Sequence, residues 1–387
     1  MLLGGAAAIV SGRLLGLVEL YVLGAGCAGL VGVAVARVAT TRLRLEVARH
    51  VMPRRVHAGQ PARVELTVAN RAERATPVLR LHDPVTGTQG ATVFLAPVDD
   101  GVTVRSAYRL PTDRRGVIGI GPLRVMVTDP YGLASVRADA APRTELIVLP
   151  RIDDIVPPPP SAGDEPLAGL RVASLAASGG DDFAALREYV VGDDLRRVHW
   201  PSSARHGDLL VRQDEVHWQG RTTIVLDTRV HTHRGADSFE VAVSAAASVI
   251  AAAWRRRDLV RLVTTAGFDS GIAAGQAHAE ALLEFLAAVQ AIQPGSLTGV
   301  LEGLGRSGAG ASVVCIVGDI ADQELRALVT LRGRVGSATI VTVHRTIGEA
   351  THPDVVAVSP HRPFAEAWNV AMAGRRRRQR AVSGAAR

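Results

Sequence analysis

Hydrophobic and polar positions divide the 387-residue chain into three regimes. The first is almost uniformly apolar. Residues 1–36 carry no charge except Arg13 and Glu19, and the uncharged run 20–36 stops at Arg37, Arg42 and Arg44. Such a run is just long enough to cross a bilayer core as a helix. Residues 1–12 are apolar but short, so the pattern predicts a membrane anchor over 1–37, as one span or as a hairpin with a stunted first helix. A secretory signal would open with a basic stretch, which is missing here. The arginines after residue 36 place the following chain in the cytoplasm by the positive-inside bias. Residues 24–29 spell G-x-G-x-x-G with no strand–helix context, and small residues four apart in an apolar helix read as a helix-packing face.

The second regime, 45–150, alternates apolar and polar residues in short segments such as ARVELTVAN (62–70) and GPLRVMVTDP (121–130). Asn, Gly, Pro and Asp stand at the breaks. This spacing predicts strands with one buried face, and strand after strand without a helical window predicts an antiparallel β-sandwich of immunoglobulin-like type. Residues 151–180 are rich in Pro and Gly, with four consecutive prolines at 157–160, and read as an irregular, exposed linker. In the third regime, 221–373, apolar strands (221–228, 258–265, 312–319, 338–344) alternate with helical windows (236–257, 278–290, 322–332). That order predicts an α/β domain with a parallel sheet covered on both faces. Ligand sites in such sheets lie at the carboxyl ends of the strands, where Asp227 and Asp319 fall. The arginine-rich end, 374–387, reads as a basic disordered tail able to contact anionic lipid.

Composition narrows the chemistry. All 44 basic residues are Arg, against 37 acidic ones. Without lysine there is no Walker A phosphate loop and no Schiff-base chemistry. The arginines are scattered among carboxylates, so the net charge of +7 does not predict nucleic-acid binding. Cys27 and Cys315 are too few for a zinc site or a disulfide framework. His217, His231 and His233 complete no ligand set and read as solvated loop histidines. Residues 303–308 match G-x-G-x-x-G in the reverse of the dinucleotide-binding order and read as a loop.

The densest polar stretch, 181–220, contains LREYVVGDDLRRVHWPSSARHGDLLVRQDE (186–215). Read from its residues, Gly192 turns the chain between a short helix and a second charged block, arginine forks could clamp carboxylates in a lattice, and His199-Trp200 is a packing pair with Trp200 as a buried anchor. The segment resembles the hallmark of the DUF58 family, R-E-Y-x-x-G-D-D-x-R-x-I-x-W-x-x-S-A-R. The residues that carry the likeness are Arg187, Glu188, Tyr189, Gly192, Asp193, Asp194, Arg196, His199, Trp200, Ser203, Ala204 and Arg205. The resemblance implies a multi-domain membrane protein whose α/β domain is of the von Willebrand factor A-like, Rossmann-type class. It also implies a role beside MoxR-type AAA+ ATPases in complex assembly or maturation, with no enzymatic activity generally established.

A factor A-type domain would hold Mg²⁺ on an Asp-x-Ser-x-Ser loop, a Thr and a further Asp. Here Asp227, Thr298 and Asp319 fit those positions. Arg229 and His231 stand where the two serines would be, and a guanidinium beside Mg²⁺ is unfavourable. Pairing of Asp227 and Asp319 with nearby arginines is the alternative. The resulting expectation is a non-enzymatic, membrane-anchored scaffold with cytoplasmic domains, binding a MoxR-type ATPase and no nucleic acid. Two others stand beside it: an adhesion or ligand-binding module on the outer face, and a hydrolase built from Asp193 or Asp194, His199 and Ser202 or Ser203, which no G-x-S-x-G elbow supports.

Overall fold

The computed structural model describes residues 2–40, 44–159, 185–188, 200, 203–204, 209–213, 220–293, 295–307, 312–331, 335–343, 354–359 and 363–385. Two compact units emerge: residues 1–152 with 283–289, and residues 153–282 with 290–387.

The first unit begins with helices α1 (Leu2–Leu15) and α2 (Val18–Thr40). They form a hairpin, turned at Gly16, whose positive φ of 67° suits glycine. Small residues let the two backbones meet, since a Cβ on Gly24 would come within 2.7 Å of the Gly5 carbonyl oxygen. Large apolar side chains, among them Leu3, Leu14, Val18, Val22 and Val33, point outward. Helix α2 is one of two described helices long and apolar enough to cross a membrane.

Ten strands follow: β1 (Leu45–Met52), β2 (Arg55–His57), β3 (Arg63–Asn70), β4 (Leu79–Asp83), β5 (Ala91–Leu95), β6 (Thr103–Arg109), β7 (Gly116–Ile120), β8 (Leu123–Thr128), β9 (Ser135–Ala141) and β10 (Thr144–Leu149). They make three sheets, ordered β1-β3-β6, β2-β10-β7 and β5-β4-β8-β9. Every pair is antiparallel except β2 with β10. Alternate residues turn inward as the sequence pattern requires, so Val64, Leu66, Leu79, Leu81, Leu123, Val125, Leu146 and Val148 share one core. A polar tie crosses that core. Arg49 on β1 donates Nη1 to Asp83 Oδ1 on β4 at 2.6 Å, and Tyr108 on β6 donates its hydroxyl to Asp83 Oδ2 at 2.7 Å.

In the second unit, a two-stranded ribbon pairs β11 (Ala185–Glu188) with β12 (Leu210–Gln213). The main sheet is parallel, ordered β14-β13-β15-β16-β17. Its strands are β13 (Arg221–Leu226), β14 (Leu259–Thr264), β15 (Ser312–Val317), β16 (Ser337–Val343) and β17 (Val355–Val358). The helices are α3 (Ala236–Arg255), α4 (Gln276–Ala288), of which residues 283–288 count with the first unit, α5 (Leu297–Ser307), α6 (Asp322–Leu331) and α7 (Phe364–Ala385). Helix α3 also has the length and hydropathy of a span, but two thirds of its apolar window (67%) is buried, the profile of a core helix.

Three expectations change here. Residues 153–158, expected as exposed linker, lie along the second unit. Asp153 N–H donates to Ser248 Oγ (2.9 Å), Val156 N–H to Asn369 Oδ1 (2.9 Å), and the buried Trp368 Nε1–H to the Val156 carbonyl (2.8 Å). Prolines leave few donors of their own, so side chains of α3 and α7 satisfy this backbone instead. Residues 160–180 of the expected linker lie outside the described residues. The basic stretch from 374 is the second correction: α7 continues through it to Ala385, and Arg375 is held by Asp354 Oδ1 (2.6 Å) and Thr339 Oγ1 (2.8 Å). Third, residues 303–307 are helical, since α5 buries Leu297, Leu301 and Leu304 on one face.

Candidate functional site

Strands β13 and β15 lie side by side, and the loops leaving their carboxyl ends pack on each other. Asp227 N–H donates to the Ile316 carbonyl at 2.9 Å, and Asp319 N–H to the Thr232 carbonyl at 2.6 Å. Gly318 makes the approach: a Cβ there would overlap the Thr232 carbonyl. A third loop closes the group, with Ser296 N–H on the Thr265 carbonyl (3.0 Å) and Ile292 N–H on the Thr228 carbonyl (2.8 Å). Gly295 is equally constrained, because a Cβ would sit 2.9 Å from Arg229 Cγ. The segments holding Asp227, Thr298 and Asp319 therefore do converge at one end of the sheet, where the loops leaving parallel strands meet.

What they build is an arginine site. Asp227 is fully buried, and the Arg229 fork grips it with Nε on Oδ1 and Nη2 on Oδ2, both at 2.9 Å. The Arg229 backbone N–H (3.1 Å) and Thr265 Oγ1 (3.2 Å) also donate to Oδ1. The free edge of the guanidinium reaches α6, where Nη1 donates to Glu324 Oε1 at 2.6 Å. Burial alone would raise the Asp227 pKa, but the hydrogen bonds and charge of Arg229 outweigh it and hold the carboxyl below its ordinary value. Asp227 in turn raises the guanidinium.

His233 is buried rather than solvated. Its Nε2 lies 2.8 Å from the Asp227 carbonyl oxygen, which can only accept, so the proton sits on Nε2. Nδ1 is then a buried acceptor without a partner among the described residues. Burial pushes the imidazole below its ordinary value of 6.5, which keeps it neutral near pH 7. His231 is exposed. At the rim, Arg234 donates Nε to Asp319 Oδ2 at 3.0 Å in an exposed pair.

A divalent cation asks for several free oxygen ligands. Arg229 already covers both Asp227 oxygens, Asp319 is paired with Arg234, and Thr298 is exposed in the first turn of α5. The trio does not fit Mg²⁺ in this arrangement. Among the described residues, no group of three His, Cys, Asp or Glu could hold a metal ion. Glu324, Thr265 and His233 complete the site without having been legible as members. Only the position of Glu324 in the first turn of a helix after the Asp319 strand hinted at it.

The hallmark segment is placed in part. Arg187 and Glu188 lie on β11 as strand residues, not on a short helix, because their backbone pairs with Val211 and Leu210 of β12. Ser203 is buried and its Oγ accepts the Leu210 N–H at 2.8 Å, pinning the start of β12. Trp200, expected as a buried anchor, is 63% exposed, and Ala204 is exposed. Tyr189, Gly192, Asp193, Asp194, Arg196, His199, Ser202 and Arg205 lie outside the described residues, as does His217. Cys315 is buried inside β15, and burial pushes its thiol up to about 12, which leaves it unreactive.

Among solved structures, the chain is similar to a CARDB domain from Pyrococcus furiosus in complex with di-metal ions (14% identity, 28% of this chain and 97% of that one, TM-score 0.22). It is similar also to the β-glucosidase EmGH1 of Erythrobacter marinus (16% identity, 28% and 16%, TM-score 0.19). A third is β-glucosidase 3B of Thermotoga neapolitana (14% identity, 27% and 17%, TM-score 0.16). Likenesses this shallow carry nothing about the fold or chemistry of the present protein. No curated protein matches the chain. Residues 185–367, which take in the ribbon β11–β12 and the parallel sheet, match the family described as protein of unknown function DUF58.

Proposed function

We propose that the protein is a non-enzymatic, membrane-anchored scaffold. Its α1–α2 hairpin sits in the bilayer, its immunoglobulin-like β region follows, and its factor A-like α/β unit offers the loops at the carboxyl end of the parallel sheet to a protein partner. A MoxR-type AAA+ ATPase on the cytoplasmic side is that partner, and complex assembly or maturation the process. One observation carries the reading. The carboxylates at the strand ends are committed to arginines: the buried Asp227–Arg229 pair ties the loop together from within, and the exposed Asp319–Arg234 pair presents charge at its rim. Exposed Thr298, Arg234 and Asp319 stand at its rim. Surfaces of this kind suit recognition, since polar and arginine-rich rims fix partner choice.

The test uses the full chain in its own membrane. A photo-crosslinking side chain at Thr298 is expected to capture an AAA+ ATPase, and one on the outward β face at Thr92 is expected not to. Recovery of no ATPase from Thr298, with the protein present and folded, overturns the partner. Reporter fusions at Arg387 decide orientation: a cytoplasmic end is expected, and an external end would transfer the same loops to an adhesion role.

A further inference from the structure

We infer that the first unit rests on the bilayer surface through one end of its sheet β5-β4-β8-β9, with Phe94 and Tyr131 seated between headgroups and acyl chains. This rests on the membrane-anchor reading of the hairpin and adds a second contact to it. The apolar run of α2 ends at Ala36, and Arg37 is its first charge after Glu19. A helix of 23 residues is about 34 Å long, roughly the hydrocarbon thickness plus the start of the headgroup layer. Whatever adjoins α2 at Arg37 and Val38 is therefore held at headgroup depth.

Strand register shows what adjoins it. Arg37 and Val38 share one cavity wall with Val78, Phe94, Thr128 and Pro130, and α2 also touches β9. The pairs Leu79–Leu95, Leu79–Val127 and Thr128–Ser135 put that wall at one end of the four strands. The outward face is graded from this end to the other. Beside α2 stand Val78 (54% exposed) and Phe94 (67%), and Tyr131 (73%) tips the turn that follows β8. Farther from α2 the outward row reads Thr92, His82, Arg124 and Asp139 across the four strands. It is polar throughout: His82 Nδ1 lies 3.0 Å from Thr92 Oγ1, and Arg124 faces Asp139 at 3.7 Å.

The charges of the near end agree with a lipid surface and require no particular headgroup. Arg80 lies with its guanidinium over the Phe94 ring, 5.7 Å from the centroid. An arginine so placed keeps its stem on apolar surface and its head toward water. The carboxylate at this end, Asp129, is buried under its own turn, accepting the Tyr131 N–H (2.9 Å) and the Ala134 N–H (2.6 Å). The Gly132 N–H closes the turn on the Asp129 carbonyl at 3.0 Å, with Gly132 at a φ of 70°. Asp129 thus meets no lipid and instead holds Tyr131 outward in a preformed turn, which loses little entropy on insertion. Aromatic side chains with arginine among them characterise a membrane–water interface, whereas the same apolar area in bulk water would be a liability. A gradient that follows distance from α2 is what a bilayer imposes, and a protein partner has no reason to reproduce it.

The experiment takes the full chain in phosphatidylcholine vesicles, with a diazirine-bearing phenylalanine introduced at one position at a time. Lipid adducts are counted by mass spectrometry after irradiation. The positions of Phe94 and Tyr131 are expected to give adducts, as is Leu23 on the exposed side of α2. Gln89, in the turn at the opposite end of β4 and β5, is expected to give almost none, since a five-residue strand sets it up to about 17 Å farther away. Phe94→Ser/Tyr131→Ser, at two exposed positions, is expected to cut adducts at Val78 severalfold and to leave those at Leu23 unchanged. Adducts at Leu23 with none at Phe94 and Tyr131, or equal yields at Phe94 and Gln89, overturn the contact and leave the anchor standing. An unchanged yield at Val78 in the double variant overturns it too. Crosslinks from Phe94 or Tyr131 to a second copy of the chain, in place of lipid, would assign the face to a protein and overturn the bilayer. If Leu23 gives no adducts, the anchor falls and takes the contact with it.

Discussion

Replacing Arg229 by Met should destabilise the α/β unit by about 3–5 kcal/mol, the usual cost of stripping one partner from a buried ion pair. The structure sets the size. Asp227 is fully buried, and the substitution removes the two hydrogen bonds at 2.9 Å that its oxygens receive from the guanidinium. The Arg229 backbone N–H and Thr265 Oγ1 would remain on Oδ1, and the Thr232 side chain, which also favours the ionised carboxyl, would stay beside it. Glu324 loses its partner too, but its side chain is 27% exposed and water can replace much of what it loses. The penalty therefore comes chiefly from an uncompensated carboxylate, and that has a consequence of its own. Neutralising Asp227 as well, in Asp227→Asn/Arg229→Met, should recover about 1–3 kcal/mol. Denaturant titration followed by tryptophan fluorescence is suited to the measurement, because the four tryptophans, at 200, 218, 254 and 368, all lie in the second unit. A single-variant loss below about 1 kcal/mol, or a double variant costing the sum of its parts, would refute the account of Arg229 as the counter-charge on which Asp227 depends.

Other consequences follow from the same contacts. Millimolar Mg²⁺ is expected to leave the wild-type unfolding curve unmoved, and Arg229→Ser, which replaces the guanidinium with a hydroxyl, should make it cation-responsive; a shift in the wild type would contradict the arginine site. Gly318→Ala, whose Cβ meets the Thr232 carbonyl, should cost about 2 kcal/mol or more, and full tolerance of alanine by thermal denaturation would show that the two loops are not in contact. In the β region, Asp83→Ala removes the counter-charge of the buried Arg49 guanidinium, which keeps only the Pro142 carbonyl among the described residues, and leaves the Tyr108 hydroxyl without its acceptor, so hydrogen exchange in β1, β4 and β6 should accelerate markedly, while Asp83→Asn should do so less. For pH, the folded state holds His233 below its ordinary 6.5 and Asp227 below 3.8, so in each case the unfolded chain takes the proton first. Stability from His233 is thus present above about 6.5 and is lost as pH falls below it toward the folded value. That from Asp227 is lost only below about 3.8. His233→Gln should flatten the stability profile between roughly pH 5 and 7, and an unchanged slope would show that the imidazole is not buried neutral.

Periodicity carried most of the architecture. The alternation in 62–70 and 121–130 fixed which residues of β3 and β8 turn inward, and the apolar runs ending in Asp227 and Asp319 marked two strands of a parallel sheet, because a one-residue slip would bury charge in either case. Residues 303–307 of helix α5 were read as a loop for an equally physical reason. Its segment carries three glycines, at 299, 303 and 305, which depress local helix propensity. Burial of Leu297, Leu301 and Leu304 against β15 outweighs that cost, and propensity cannot register a neighbour. The prolines at 157–159 misled in the same way, since what fixes this stretch is the Trp368 and Asn369 pair more than two hundred residues away.

The site divides along the same line. Substitution of Arg229 for a hydroxyl is visible in the sequence, and its charge alone argues against a cation beside it. Where that charge goes is not visible. A guanidinium two residues after an aspartate can reach it only if the loop folds back, and the loop folds back because the Asp319 N–H bonds the Thr232 carbonyl, Gly318 admits the approach and Gly295 leaves room for the Arg229 stem. The positive charge that a metal would bring to this end of the sheet is thereby supplied by the chain itself, and it cannot be chelated away. Any partner that reads these loops meets a surface whose charge is fixed by covalent structure. Its recognition should then persist in the presence of a chelator and weaken with salt, as paired surface charges such as Arg234 and Asp319 become screened. A complex that dissolves on addition of EDTA at constant ionic strength would show that the partner, or a residue outside this arginine site, brings a metal of its own.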